Sequence, residues 1–122
     1  MTRLLRIVVA CTLALVAVGC SGSAPPSSTP ARPSSTGPAP AGPRITISAL
    51  SYGVALSVRP GTRVVVVNED DVAHTVTSNR KGKFDAHVAA HGWVTFDAPS
   101  EPGNYGYYCI YHPAMLGTLI VQ

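Results

Sequence analysis

The 122-residue sequence predicts an all-β fold, a Greek-key antiparallel β-sandwich of about seven short strands over residues 44–122. Three observations carry the sandwich. Apolar residues recur in short runs with a period of two, the pattern of half-buried strands. Clusters rich in Gly, Pro, Asn and Asp separate the runs. No helical period of useful length follows the N-terminal apolar stretch. The 79 residues from Arg44 to Gln122 suffice for one small core.

The chain opens with a different kind of segment. Arg3 and Arg6 precede an apolar run, Ile7 to Val18, of 12 residues. That is too short to span a bilayer and suits the central region of an export signal, residues 1–19. The run ends Ala17-Val18-Gly19-Cys20, which resembles a bacterial lipoprotein box, with Ala17 where Leu is commonest. The resemblance implies cleavage before Cys20 and lipid on its sulfur. It places the protein outside the cytoplasm, anchored in the outer face of the cytoplasmic membrane. The alternative is an ordinary secretory signal with an incidental cysteine.

Residues 20–43 hold seven Pro and six Ser and no large apolar side chain. Such a segment buries too little surface to offset its ordering entropy, which predicts a disordered tether. Its reach lies between roughly 30 Å as a coil and roughly 70 Å when extended.

Strand signals then follow in order. Ile45 and Ile47 alternate, as do Val54, Leu56 and Val58, before a turn at Arg59-Pro60-Gly61-Thr62. Val64 to Val67 is a continuous β-branched run, expected of a central strand. A polar turn, Asn68 to Asp71, leads to a strand over Ala73–Thr77, and a further strand covers Trp93 to Phe96. Tyr105, Tyr107 and Cys109 alternate, so they share one face, the buried one. Thr118 to Val121 is the last strand. Tyr52, Trp93 and Phe96 are expected in the core.

Ser78 to Gly92 carries no clear period. Its Arg80, Lys81 and Lys83 read as a solvated loop, with a docking patch for an acidic partner as the alternative. His87 and His91 read as exposed loop histidines. The chain as a whole carries a formal charge of +3, but Arg3, Arg6 and Arg32 precede the domain. From Arg44 onward six basic and six acidic residues balance, so the basic character does not point to nucleic acid.

With Cys11 in the signal and Cys20 at the lipoprotein box, Cys109 is the one thiol left to explain. A free thiol, an intermolecular bridge, an inert core cysteine and a metal ligand are the choices. Its neighbours favour the last. Cys109, His112 and Met115 stand three residues apart on one short loop, with Pro113 fixing φ within it. Thiolate, imidazole and thioether suit copper far better than magnesium or calcium, and His74 can supply a second imidazole. A Cys–His nucleophile built from Cys109 and His112 would lack an orienting acid and leave His74 and Met115 idle.

Cys109-x₂-His112-x₂-Met115, with Asn68-x-Asp70-x₃-His74-x-Val76 upstream, resembles the cupredoxins, the type 1 blue copper proteins of amicyanin and plastocyanin type. The resemblance covers roughly Ile45 to Val121 and implies the Greek-key sandwich. It implies one type 1 copper ion held by His74, Cys109, His112 and Met115, and a backbone N–H after His74 donating to the Cys109 sulfur. It also implies electron transfer to redox partner proteins through His112 and the surface around Pro113 and Ala114. Thr75 departs from the Asn often found after the first His, and the domain is short enough to lack an N-terminal strand. With no open coordination position, such a site argues against an oxidase or reductase and for a one-electron carrier. A copper-binding or copper-delivery lipoprotein without redox work is the alternative.

Overall fold

The computed structural model describes residues Ser34–Gln122. The expected export signal and lipidated Cys20 lie outside the described residues, as does the first part of the tether. Eight strands run in the order β1 (Arg44–Ile47), β2 (Leu56–Val58), β3 (Arg63–Asn68), β4 (His74–Ser78), β5 (Asp85–Val88), β6 (Trp93–Asp97), β7 (Gly103–Tyr108) and β8 (Leu116–Val121). The described residues contain no α-helix.

The strands form two sheets, β1-β3-β6 and β2-β8-β7-β4-β5. Four pairings are antiparallel, as expected; β1–β3 and β2–β8 are parallel. The core fills the space between the sheets. Ile45, Ile47, Val64, Val66 and Val94 come from the smaller sheet, and Val76, Val88, Tyr105, Tyr107, Leu119 and Val121 from the larger.

The alternation read from the sequence holds where both sheets use it. Val64 and Val66 enter the core, and β3 is the middle strand of its sheet. Val54 does not join β2 and is exposed, because the chain there is still in the connection from β1. The unclear stretch from Ser78 to Gly92 contains β5. Its Ala86 and Val88 face inward, while Asp85 and His87 face solvent. His87 is thus an exposed strand residue, and His91 an exposed loop residue with φ of 53°.

The tether ends earlier than Pro43. Residues 34–43 lie against the domain, so the folded unit begins at Ser34 among the described residues. Ser35 exchanges backbone hydrogen bonds with Trp93, and the Trp93 indole N–H donates to the Gly37 carbonyl at 3.1 Å. The Val65 N–H donates to the Pro43 carbonyl, and Val65 is buried although it points away from the core cluster. The physical reason is the outward face of the smaller sheet. Alternation sends Val65, Val67 and Trp93 to that face. The strap of residues 34–43 crosses it and gives it a cover. Ser35 supplies one antiparallel bridge where an N-terminal strand would stand.

Candidate metal centre

The site forms where the larger sheet opens. β4 and β7 pair only at Thr77–Tyr108 and Ser78–Tyr107. Toward the start of β4 their backbones separate, and side chains take over the ladder. The Ile110 N–H donates to Thr75 Oγ1 at 2.9 Å, and the Thr75 N–H to Cys109 Sγ at 3.4 Å. The N–H implied to reach the sulfur is therefore present, on Thr75.

The ligand loop is tightly closed. The Met115 N–H donates to the His112 carbonyl at 2.8 Å, a turn with Pro113 at its second position, where a fixed φ is favoured. The Cys109 N–H donates to the Met115 carbonyl at 3.3 Å, continuing the β7–β8 ladder by one pair. Gly117 lets β8 start here, because a Cβ would stand 2.3 Å from the Tyr107 ring.

Within this frame Nδ1 of His74 and Nδ1 of His112 each lie 3.7 Å from Cys109 Sγ. One ligand atom from each of the three residues lies within 4.8 Å of the others. His74 and Cys109 are fully buried and His112 is half-buried. Met115 is buried in the core cluster at the end of the loop.

His74 is held from behind. Its Nε2 lies 3.0 Å from Asp70 Oδ2. A carboxylate only accepts, so Nε2 carries the proton and Nδ1 presents its lone pair toward Cys109. Asp70 also receives the Ala49 N–H at 2.7 Å and the Leu50 N–H at 2.9 Å. The Leu50 N–H above all, then those of Ala49 and His74, hold its carboxyl below the ordinary range. On the inner side, the Tyr52 hydroxyl donates to the Thr75 carbonyl. Burial first, then the nearby Cys109, pushes the Tyr52 phenol well above its ordinary value.

Two nitrogens and one thiol sulfur converge, two of the three residues fully buried, with a backbone N–H aimed at the sulfur. This donor set fits one type 1 copper ion, and Cys109 would bind as thiolate. Around the half-buried His112, Ala73, Pro113 and Ala114 are exposed. Leu50, Val72, Ile110 and Tyr111 from loops and Leu116 at the start of β8 add exposed apolar surface. Sequence reasoning missed Asp70 as the partner of His74, although the residue stood within the quoted motif. It also missed Tyr52, whose place above Thr75 depends on the long β1–β2 connection. His87 and His91 do not enter the cluster; they pair with Asp85 at 3.3 Å and Asp71 at 2.7 Å.

The Cupredoxin-like domain family matches residues 34–121, and the chain belongs to that family. Its fold is that of amicyanin. The Cu(I) form of a methionine-to-alanine variant of amicyanin matches at a TM-score of 0.63 and 22% identity, over 76% of this chain and 95% of that one. A reduced proline-to-phenylalanine variant matches at 0.57 and 23% identity, over 66% of this chain and 81% of that one. No curated protein matches the sequence.

Proposed function

We propose that the protein is a one-electron carrier whose His74, Cys109, His112 and, more weakly, Met115 would hold a single type 1 copper ion. The observation that carries this reading is the buried convergence of His74, Cys109 and His112 donor atoms within 4.8 Å. Bound copper would supply a Cu(I)/Cu(II) couple. The chain's part is to hold the donors still. Asp70 fixes the His74 ring, Thr75 fixes the sulfur, and the turn at Pro113 fixes His112. Little rearrangement between oxidation states is then needed. The exposed edge of His112, among Ala73, Pro113 and Ala114, is the port for electrons to and from redox partner proteins. Burial of His74 and Cys109 favours a carrier over a delivery protein, which must open to release its metal.

The lipoprotein-like Cys20 supports a second part of the proposal: a lipid anchor holds the domain at the outer face of the cytoplasmic membrane.

Adding Cu(II) to the purified protein tests the site. One equivalent should bind with intense blue colour from thiolate charge transfer, and Cys109→Ser should abolish it. A Cys109→Ser protein that stayed intensely blue would rule out this ligand set.

A further inference from the structure

Alternation along β4 puts Thr75 and Thr77 on its outward face, with Asp85 and His87 opposite them on β5. Thr75 Oγ1 and Thr77 Oγ1 are 2.9 Å apart, and Thr77 Oγ1 is 2.8 Å from Asp85 Oδ1. Each hydroxyl has one proton, and an ionised carboxylate only accepts. Thr77 therefore donates to Asp85 and Thr75 donates to Thr77. Thr75 is left to accept the Ile110 N–H at 2.9 Å. The four groups form a relay of one polarity, from the peptide that follows Cys109 to a surface carboxylate.

The other end of the relay returns to the same loop. Asp85 Oδ2 lies 3.3 Å from His87 Nε2, and the His87 ring stands edge-on to Tyr111, with centroids 6.4 Å apart. Tyr111 lies between Ile110 and His112 in sequence.

Polar cross-strand pairs on an outward sheet face commonly add only a little stability. Three features set this one apart. Thr75 is fully buried. The relay replaces the backbone ladder where β4 and β7 separate. Its last acceptor is charged, and aligned hydrogen bonds polarise one another.

We propose that Asp85 is a positioning residue for the metal centre: through Thr77 and Thr75 it fixes the Cys109–Ile110 peptide and tunes the reduction potential. This rests on the copper-carrier reading. A negative charge coupled to the site favours the more positive oxidised ion. Removing the charge raises the potential, and cutting the relay weakens that coupling.

The test uses the intact chain with Thr77→Val, Asp85→Asn and both together. Val suits a half-buried strand position, so Thr77→Val retains the sheet. In metal-free protein the Ile110 amide proton should shift upfield in each single variant, and Thr77→Ser should restore it. In copper-loaded protein Asp85→Asn should raise the potential, and the rise should shrink in the Thr77→Val background. An Ile110 proton unmoved in both single variants would overturn the relay. An equal rise in potential with or without Thr77 would overturn the tuning and leave plain through-space charge. A wild-type chain that took up no copper would instead overturn the carrier reading, while the Ile110 shift still decided the relay.

Discussion

Asp70 Oδ2 and His74 Nε2 meet at 3.0 Å, and the same carboxylate holds the backbone of Ala49 and Leu50, both with positive φ (52° and 58°). One side chain thus orients a proposed metal ligand and secures a turn in a conformation that non-glycine residues adopt at a cost of about 1–3 kcal/mol.

Asp70→Ala should lower copper affinity by about 10–100-fold, the usual effect of losing a partner behind a ligating histidine. Competition with a chelator of known affinity measures it. The pH dependence has a definite sign. Asp70 titrates below the ordinary carboxylate range when folded, so its contribution is present above about pH 4 and is lost as pH falls further. Metal-free wild type should therefore lose stability below about pH 4 more steeply than Asp70→Ala. Identical acid limbs in denaturant titrations would contradict the geometry.

Met115→Leu should retain copper and raise the reduction potential. A weak thioether donates some electron density to Cu(II), and a buried leucine of similar volume fills the space without donating. Voltammetry and metal analysis together check this; loss of all copper would show that Met115 holds the ion rather than tunes it.

Tyr107 is buried with no hydrogen-bond partner for its hydroxyl among the described residues, and burial pushes its phenol up to about 12. An unpaired buried hydroxyl costs about 1–3 kcal/mol, so Tyr107→Phe should be neutral or stabilising in thermal unfolding. The unfolded chain releases this proton near pH 10 and the folded one does not, so stability falls as pH rises above about 10. Tyr107→Phe should make that fall shallower. A loss of several kcal/mol at neutral pH would mean that the hydroxyl has a partner.

Cys20→Ala should block lipoprotein processing when the chain is expressed with its own signal. Wild-type protein should partition into the detergent phase of an extraction and the variant should not, since stable anchoring needs more than one acyl chain. Wild-type protein found wholly in the aqueous phase would exclude the lipid anchor.

Much of the fold was legible because its strands keep strict alternation. Tyr105, Tyr107 and Cys109 occupy one buried face, as their spacing required. The approach of His74 to Cys109 was legible only because thiolate, imidazole and thioether form a small vocabulary with few uses. What escaped were features set by tertiary contacts. β5 was hidden because two of its four residues, Asp85 and His87, are charged or titratable and flank a basic turn. The strap was hidden because proline-rich composition signals low burial, whereas Ser34–Pro43 is held by the strand edge at Trp93 and by Val65. Asp70 stood in plain view, but its reach to Ala49 and Leu50 depends on a turn that local sequence does not announce.

The strap joins the fold at one particular pole. The Ser34 hydroxyl lies 3.4 Å from the His87 carbonyl and accepts the Ala89 N–H at 2.7 Å, and Ser35 pairs with Trp93. These positions are the end of β5 and the start of β6, beside Val88, the register partner of His74. Ser34 therefore sits at the same pole as the proposed metal ligands. Under the proposed lipid anchor at Cys20, a leash joined at this pole would hold the proposed His112 port nearer the membrane than the far pole. The strap from Ser34 occupies the side beside the end of β5 and the start of β6, which leaves the β7–β8 flank as the clearer approach for a docking body.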